Sequence, residues 1–222
     1  MADLLVLTAT HPNAFRHHEA IEAGVPALRR LAASHELTME HTEDTSVLNP
    51  AGLAGVRAVV FHQCNGEILR ESQRAALQAA VEAGCGFAGV HNSTGAERTW
   101  PAYLELIGAR FAGHPAINDV RRDLVPVEPD HPSVAPLPKP WSWSDEWYEF
   151  EAPPVGVEPL LELADEPGRA LCWRGRVGAG STWYTALGHR GSAWSDPAYL
   201  AHVWGGISSV LAPPAASPRS AR

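Results

Sequence analysis

The residues of this chain best suited to chemistry are histidines that follow apolar runs. Phe87-Ala-Gly-Val90 is preceded by Gly84 and Gly86 and ends on His91, with Asn92 and Ser93 behind it. Leu4 to Leu7 leads to Thr8, Thr10 and His11, then to Phe15-Arg16-His17. Ala58 to Phe61 leads to His62, Gln63 and Asn65, and the stretch from Gly180 to Ala186 leads to Gly188-His189. An imidazole titrates near pH 6.5, so it exchanges protons at neutral pH, and its lone pair also ligates metals. A single histidine at a strand end is ordinarily a satisfied structural residue. Several arriving at one edge, with the carboxylate of Glu146, could do general acid–base work or hold a divalent ion such as zinc. No HExxH or other tight ligand spacing singles out the metal.

For those side chains to meet, the runs must be strands whose carboxyl ends share an edge. Short apolar runs bounded by turn signals suit strands buried on both faces. Helical spacing lies between them: Ile21, Val25, Leu28 and Ala32, interrupted by Gly24 and Pro26, and Leu69 to Val81, stopped by Gly84. Asn49-Pro50, Trp100-Pro101 and Asp196-Pro197 each place Pro in a helix's first turn. The expected class is therefore α/β with a mainly parallel central sheet, whose chemistry sits at the strands' carboxyl edge. From Val120 onward the style changes. Val120 to Val127, Glu158 to Leu163 and a hairpin turning at Val177-Gly-Ala-Gly read as an antiparallel extension.

Asp145 and Glu146 stand among Trp141, Trp143, Trp147, Tyr148 and Phe150. Those aromatics read equally as core and as flat walls that stack on sugar rings, and the Trp-rich segment suits an oligomer interface as well as a pocket. His114 precedes Pro115 and reads as a turn residue.

Composition narrows the classes. The 222 residues, 45% of them hydrophobic, suffice for a full core. A formal net charge of -8 argues against nucleic-acid binding, which needs Lys and Arg facing phosphates. Three cysteines without CxxC spacing give neither a disulfide framework nor a zinc ribbon. The start of the chain lacks a basic segment and a long apolar run, so no membrane association and a cytoplasmic location are expected. Residues 213–222, rich in Pro, Ala, Ser and Arg, read as a disordered tail.

Phe15-Arg16-His17, Gly89-Val90-His91, Gly108 to His114-Pro115, Asp145-Glu146-Trp147-Tyr148, Thr185 to His189 and Trp204-Gly205-Gly206-Ile207 occur in this order. Together they resemble the ThuA-like (trehalose utilisation) family of the class I glutamine amidotransferase-like superfamily. The resemblance implies a flavodoxin-like three-layer sandwich, a single domain over residues 1–212 and a link to sugar metabolism. It also marks a departure. Where amidotransferases carry a nucleophilic Cys after the Gly-rich strand, this chain has His91, and the second residue after His189 is Gly191 rather than Glu. Cys-type acyl transfer, which needs a thiolate beside a base, is not expected.

The resulting expectation is a sugar-processing enzyme acting on a disaccharide or oxidised sugar. His91, His189 and Glu146 would be catalytic or ligating groups. His17, Asn65, His114, Trp147 and Tyr148 would orient the substrate. A non-catalytic sugar-binding or scaffold protein on the same fold is the alternative, and a hydrolase built on Ser93 a third reading.

Overall fold

A computed structural model describes residues 2–115 and 120–211. Eleven strands and five α-helices follow one another among these residues. The first half alternates strand and helix. Strands β1 (Leu4–Leu7), β2 (Met39–Thr42), β3 (Ala58–His62) and β4 (Gly86–Val90) are separated by helices α1 (His18–Ser34), α2 (Pro50–Leu53) and α3 (Glu71–Glu82). Helix α4 (Pro101–Ile107) follows β4. The second half holds β5 (Phe111–Gly113), β6 (Arg121–Pro126), β7 (Trp141–Ser144), β8 (Glu149–Phe150), β9 (Val157–Leu163), β10 (Ala170–Val177), β11 (Gly180–Thr185) and helix α5 (Pro197–Val210).

Nine strands form one sheet in the order β2-β1-β3-β4-β11-β10-β9-β6-β7. The pairs from β2 to β11 are parallel and those from β11 to β7 antiparallel. The parallel part thus has the flavodoxin-like order, with β11 as the fifth strand. Its core strands β1, β3 and β4 are buried at every position, as expected where helices cover both faces. Alternation along the strands assigns the helices to faces. A Cβ on Gly86 would meet Val210 at the end of α5, whereas one on Gly89 would meet Ile107 of α4, and Gly180 abuts Val81 of α3. Residues 86 and 89 point to opposite faces, so α5 lies on one side of the sheet and α3 and α4 on the other. Helix α1 packs beside α5.

The helix starts follow the sequence signals. Asn49 accepts from the Ala51 and Gly52 amides at the start of α2, and Asp196 from Ala198 and Tyr199 at the start of α5, each with Pro in the first turn. Helix α1 runs unbroken through Gly24 and Pro26. Gly24 is a packing residue, since a side chain there would drive into the His62 ring and Trp194. The second half holds more strands than the sequence reading named. The segment between β6 and β9 contributes β7 to the sheet edge, and β8 pairs with β5 in a small separate sheet. In the Trp-rich segment Trp141, Trp147 and Tyr148 are all buried. No helix of the described residues is long and apolar enough to cross a membrane. The tail at 213–222 lies outside the described residues.

Candidate active site

The site lies at the carboxyl edge of the parallel strands, where loops from four of them meet a loop from the antiparallel half. Its centre is His91, the first residue after β4. His91 has a φ of 51°, a left-handed conformation uncommon for a residue with a Cβ and often found at functional turns. The turn is held by its surroundings. The Tyr184 hydroxyl donates to the His91 carbonyl at 2.8 Å, and Thr94 bonds Tyr184 in turn. Gln63, also at positive φ at the end of β3, donates to the Gly188 carbonyl at 2.9 Å and accepts weakly from the Asn92 amide. One side chain thus ties the ends of β3, β4 and β11.

The His91 ring is fully buried. Its Nδ1 lies 2.7 Å from the Ala186 carbonyl oxygen, which can only accept, so Nδ1 carries the proton. In the neutral ring Nε2 is then left as a lone pair. The Tyr148 hydroxyl donates to that nitrogen at 2.9 Å. Nε2 is also 3.3 Å from Glu146 Oε2. The same carboxylate oxygen is 3.1 Å from His189 Nδ1, and Oε1 is 3.5 Å from His114 Nε2. His17, just ahead of α1, sets its ring edge-on to both His91 and His189, at centroid distances of 5.0 and 5.2 Å. One ligand-capable atom from each of His17, His91, Glu146 and His189 lies within 4.8 Å of all the others.

Electrostatics follow from this crowding. Burial pushes His17 down to about 3, reinforced by the neighbouring His91 and His189 and opposed only partly by Glu146. It therefore stays neutral and keeps one ring nitrogen's lone pair free of a proton across the physiological range. Burial by itself would raise the Glu146 carboxyl, but its close approach to His189 and His91 outweighs burial and holds the group well below the usual carboxylate range. Glu146 is ionised.

Asp145 positions two of these groups without facing the cavity. It is buried, and its two oxygens accept from the backbone amides of Gly188, His189 and Glu146 and from the Trp143 indole. The carboxylate thereby locks the β11 loop carrying His189 to the loop carrying Glu146.

A cavity of about 370 Å³ opens above the cluster, lined by Phe15, His17, Asn65, Asn92, Gly95, Arg98, Phe111, His114, Glu146, Tyr148 and His189. Of the residues expected from sequence, His17, Asn65, His114, Glu146, Tyr148 and His189 reach this cavity, and His91 sits at its base behind Tyr148 and Glu146. Trp147 does not, and the expectation of a Trp147 wall is corrected. Its indole donates to the Val120 carbonyl and its ring packs beneath Arg122, because residues 146–148 alternate in direction and only 146 and 148 point inward. His62 also departs from the strand-end group: it is buried under α1 against Trp194, bonded to the Ala20 carbonyl. Ser93 is buried below the turn and does not line the cavity. None of the three cysteines lines it either, and burial raises each thiol, Cys85 to about 11. Arg98 and Phe111 were not legible as site residues, since neither follows a sheet strand; Phe15 is legible from its place two residues before His17.

A family model described as "ThuA: Trehalose utilisation" matches residues 3–209. No curated protein matches the chain by sequence. Among solved structures, a ThuA-like protein from Bacteroides uniformis superposes with a TM-score of 0.76 at 17% identity, covering 93% of this chain and 90% of that one. One from Parabacteroides merdae gives 0.74 at 15% identity, covering 96% and 92%. A β-galactosidase from Bacillus circulans sp. alkalophilus gives 0.62 at 14% identity, over 95% of this chain but 32% of that one. At these identities the likenesses establish the fold.

Proposed function

From membership of the ThuA (trehalose utilisation) family and the cluster at the sheet edge, we propose that this protein is a sugar-processing enzyme acting on a disaccharide or oxidised sugar. The observation that carries the reading is the mutual approach of His17, His91, Glu146 and His189 within 4.8 Å at the floor of an open cavity. Groups that crowd titratable side chains in a cleft are favoured at catalytic sites.

The chain's own residues supply the parts of acid–base catalysis. Ala186 fixes the His91 tautomer, so Nε2 is the atom that receives a proton. Tyr148 lines the cavity and donates to that nitrogen, so it relays the proton: its own hydroxyl proton passes to Nε2 as the oxygen takes one from a sugar hydroxyl or from carbon beside a carbonyl. Glu146, ionised, balances positive charge that develops on His91 or His189. His91 is fully buried, so its interactions act at a lower effective dielectric than in water.

The donor set also suits a divalent metal such as zinc. Three imidazoles and a carboxylate are ordinary ligands for it. The spacings of 3.1 and 3.3 Å from Glu146 to His189 and His91 fit neighbouring ligands of one ion, and the Nδ1–H to Ala186 carbonyl contact is the supporting bond such ligands usually make. His17, His91, Glu146 and His189 would hold the ion, which would supply polarisation of a bound sugar oxygen.

The test is turnover of disaccharides and oxidised sugars by wild type and His91→Ala, with elemental analysis of the purified protein. His91→Ala is expected to lose at least ~100-fold in turnover and keep its fold by circular dichroism. Undiminished turnover in that variant would end the assignment. Ligand-induced thermal stabilisation without turnover in wild type would indicate a binding protein instead.

A further inference from the structure

Phe15 is 68% exposed, more than any other large apolar side chain among the described residues, and it stands at the cavity mouth. A lone exposed apolar residue needs no explanation by itself. Two features set this one apart. First, its backbone is fastened on the side that leads to His17. The Asn65 amide donates to the Phe15 carbonyl at 2.9 Å, and the Arg16 guanidinium reaches the Thr8 carbonyl at 2.9 Å and the Glu43 carboxylate. The ring, 4.8 Å from His17 and edge-on to it, is therefore displayed to solvent by a fixed loop.

Second, the cavity wall beside it offers uncharged hydrogen-bonding groups. A Cβ on Gly95 would fall 2.7 Å from the Asn65 amide oxygen and 3.0 Å from that of Asn92, so glycine there leaves room for both amides at the wall. The one guanidinium on the lining, Arg98, is engaged by Glu151 and the Phe111 carbonyl. An aromatic face next to neutral amides matches a sugar ring, which is apolar on its C–H face and hydroxylated at its rim.

We propose that Phe15 is the platform of an outer subsite. It stacks on the second ring of a glycoside whose reacting ring lies against His17, His91, Glu146 and His189, while Asn65 and Asn92 bond ring hydroxyls. The inference rests on the sugar-processing reading and adds to it that the substrate carries at least two rings. Binding measured calorimetrically for glucose, galactose and mannose and for their α- and β-linked disaccharides tests it, in wild type, Phe15→Ala and Phe15→Trp. Phe15→Ala is expected to weaken the best disaccharide about tenfold, to weaken the monosaccharides by a clearly smaller factor, to leave the melting temperature unchanged, and to be rescued by Phe15→Trp. Equal affinity of wild type and Phe15→Ala for the disaccharide, or equal weakening of both sugar classes, overturns the subsite alone. Absence of binding to every saccharide by wild type overturns the sugar reading, and the subsite with it.

Discussion

The His91 ring is set by three neighbours that are distant in the chain. Ala186 orients its proton, Tyr148 caps its lone pair and Glu146 faces it. The Tyr148 hydroxyl is buried, and that burial raises its phenol well above the ordinary value, so it meets His91 as a neutral donor. Removing only that hydroxyl isolates its role. Tyr148→Phe is expected to cost about 1 kcal/mol of stability, the usual worth of one neutral hydrogen bond, and to lower turnover roughly tenfold. Denaturant unfolding and steady-state rates measure the two effects separately, and a variant with wild-type turnover would reduce Tyr148 to a wall. The metal version of the site makes its own demand at this scale. If His17, His91, Glu146 and His189 hold a resident ion, prolonged chelation lowers turnover, and zinc or another divalent ion restores it; activity indifferent to chelation leaves the acid–base version.

Loops, rather than helices or strands, bring the site together, and Asp145 is the joint between two of them. Four N–H groups converge on one carboxylate, including those of Gly188, His189 and Glu146. An amide of the same shape presents an NH2 group to some of those donors and leaves them unsatisfied. Asp145→Asn is therefore expected to lose about 2–4 kcal/mol and to move His189 and Glu146 apart. A fall in melting temperature together with lost turnover or metal content is the signature. Loss of stability with full activity would show that the loops hold their positions without it. Gln63 plays the same part on the other side, joining the β3, β4 and β11 ends through one side chain.

For the molecule as a whole, buried histidines away from the cavity set the acid limit of stability. Burial pushes His62 down to about 3 and His202 to about 4, against the hydrogen bonds that each makes with a carbonyl. Their native values lie below the unfolded value near 6.5, so the unfolded chain binds more protons between those limits. Stability from this source is fully present above about pH 6.5 and is lost as pH falls toward 3 to 4. At about pH 5 each histidine is expected to have given up ~2 kcal/mol relative to neutral pH. Melting curves from pH 8 to 5 check this, and a flat profile would contradict it.

Much of the fold was legible in the sequence because its signals are local. Buried parallel strands read as short apolar runs, and Asn49-Pro50, Asp196-Pro197 and Gly84 punctuate helices by rules that act over a few residues. The same locality made His91 and His189 visible, since each is among the first polar residues after an apolar run. Gly24 and Pro26 read as interruptions, yet α1 passes through both, because Gly24 answers to His62 and Trp194 and those contacts are made across the fold. Likewise the Trp141 to Tyr148 segment offered six aromatic or acidic residues, of which Glu146, Trp147 and Tyr148 were expected at the site. Which of them face the cavity depends on alternation within a loop whose register is fixed by β7, β8 and the Asp145 joint. That placed Tyr148 and Glu146 inside and Trp147 in the packing. By itself, the order of residues determined the α/β class, the strand ends and the kind of chemistry their histidines allow. Tertiary structure alone decided which side chains share one cavity and which tautomer His91 holds, because both are set by contacts between atoms tens of residues apart.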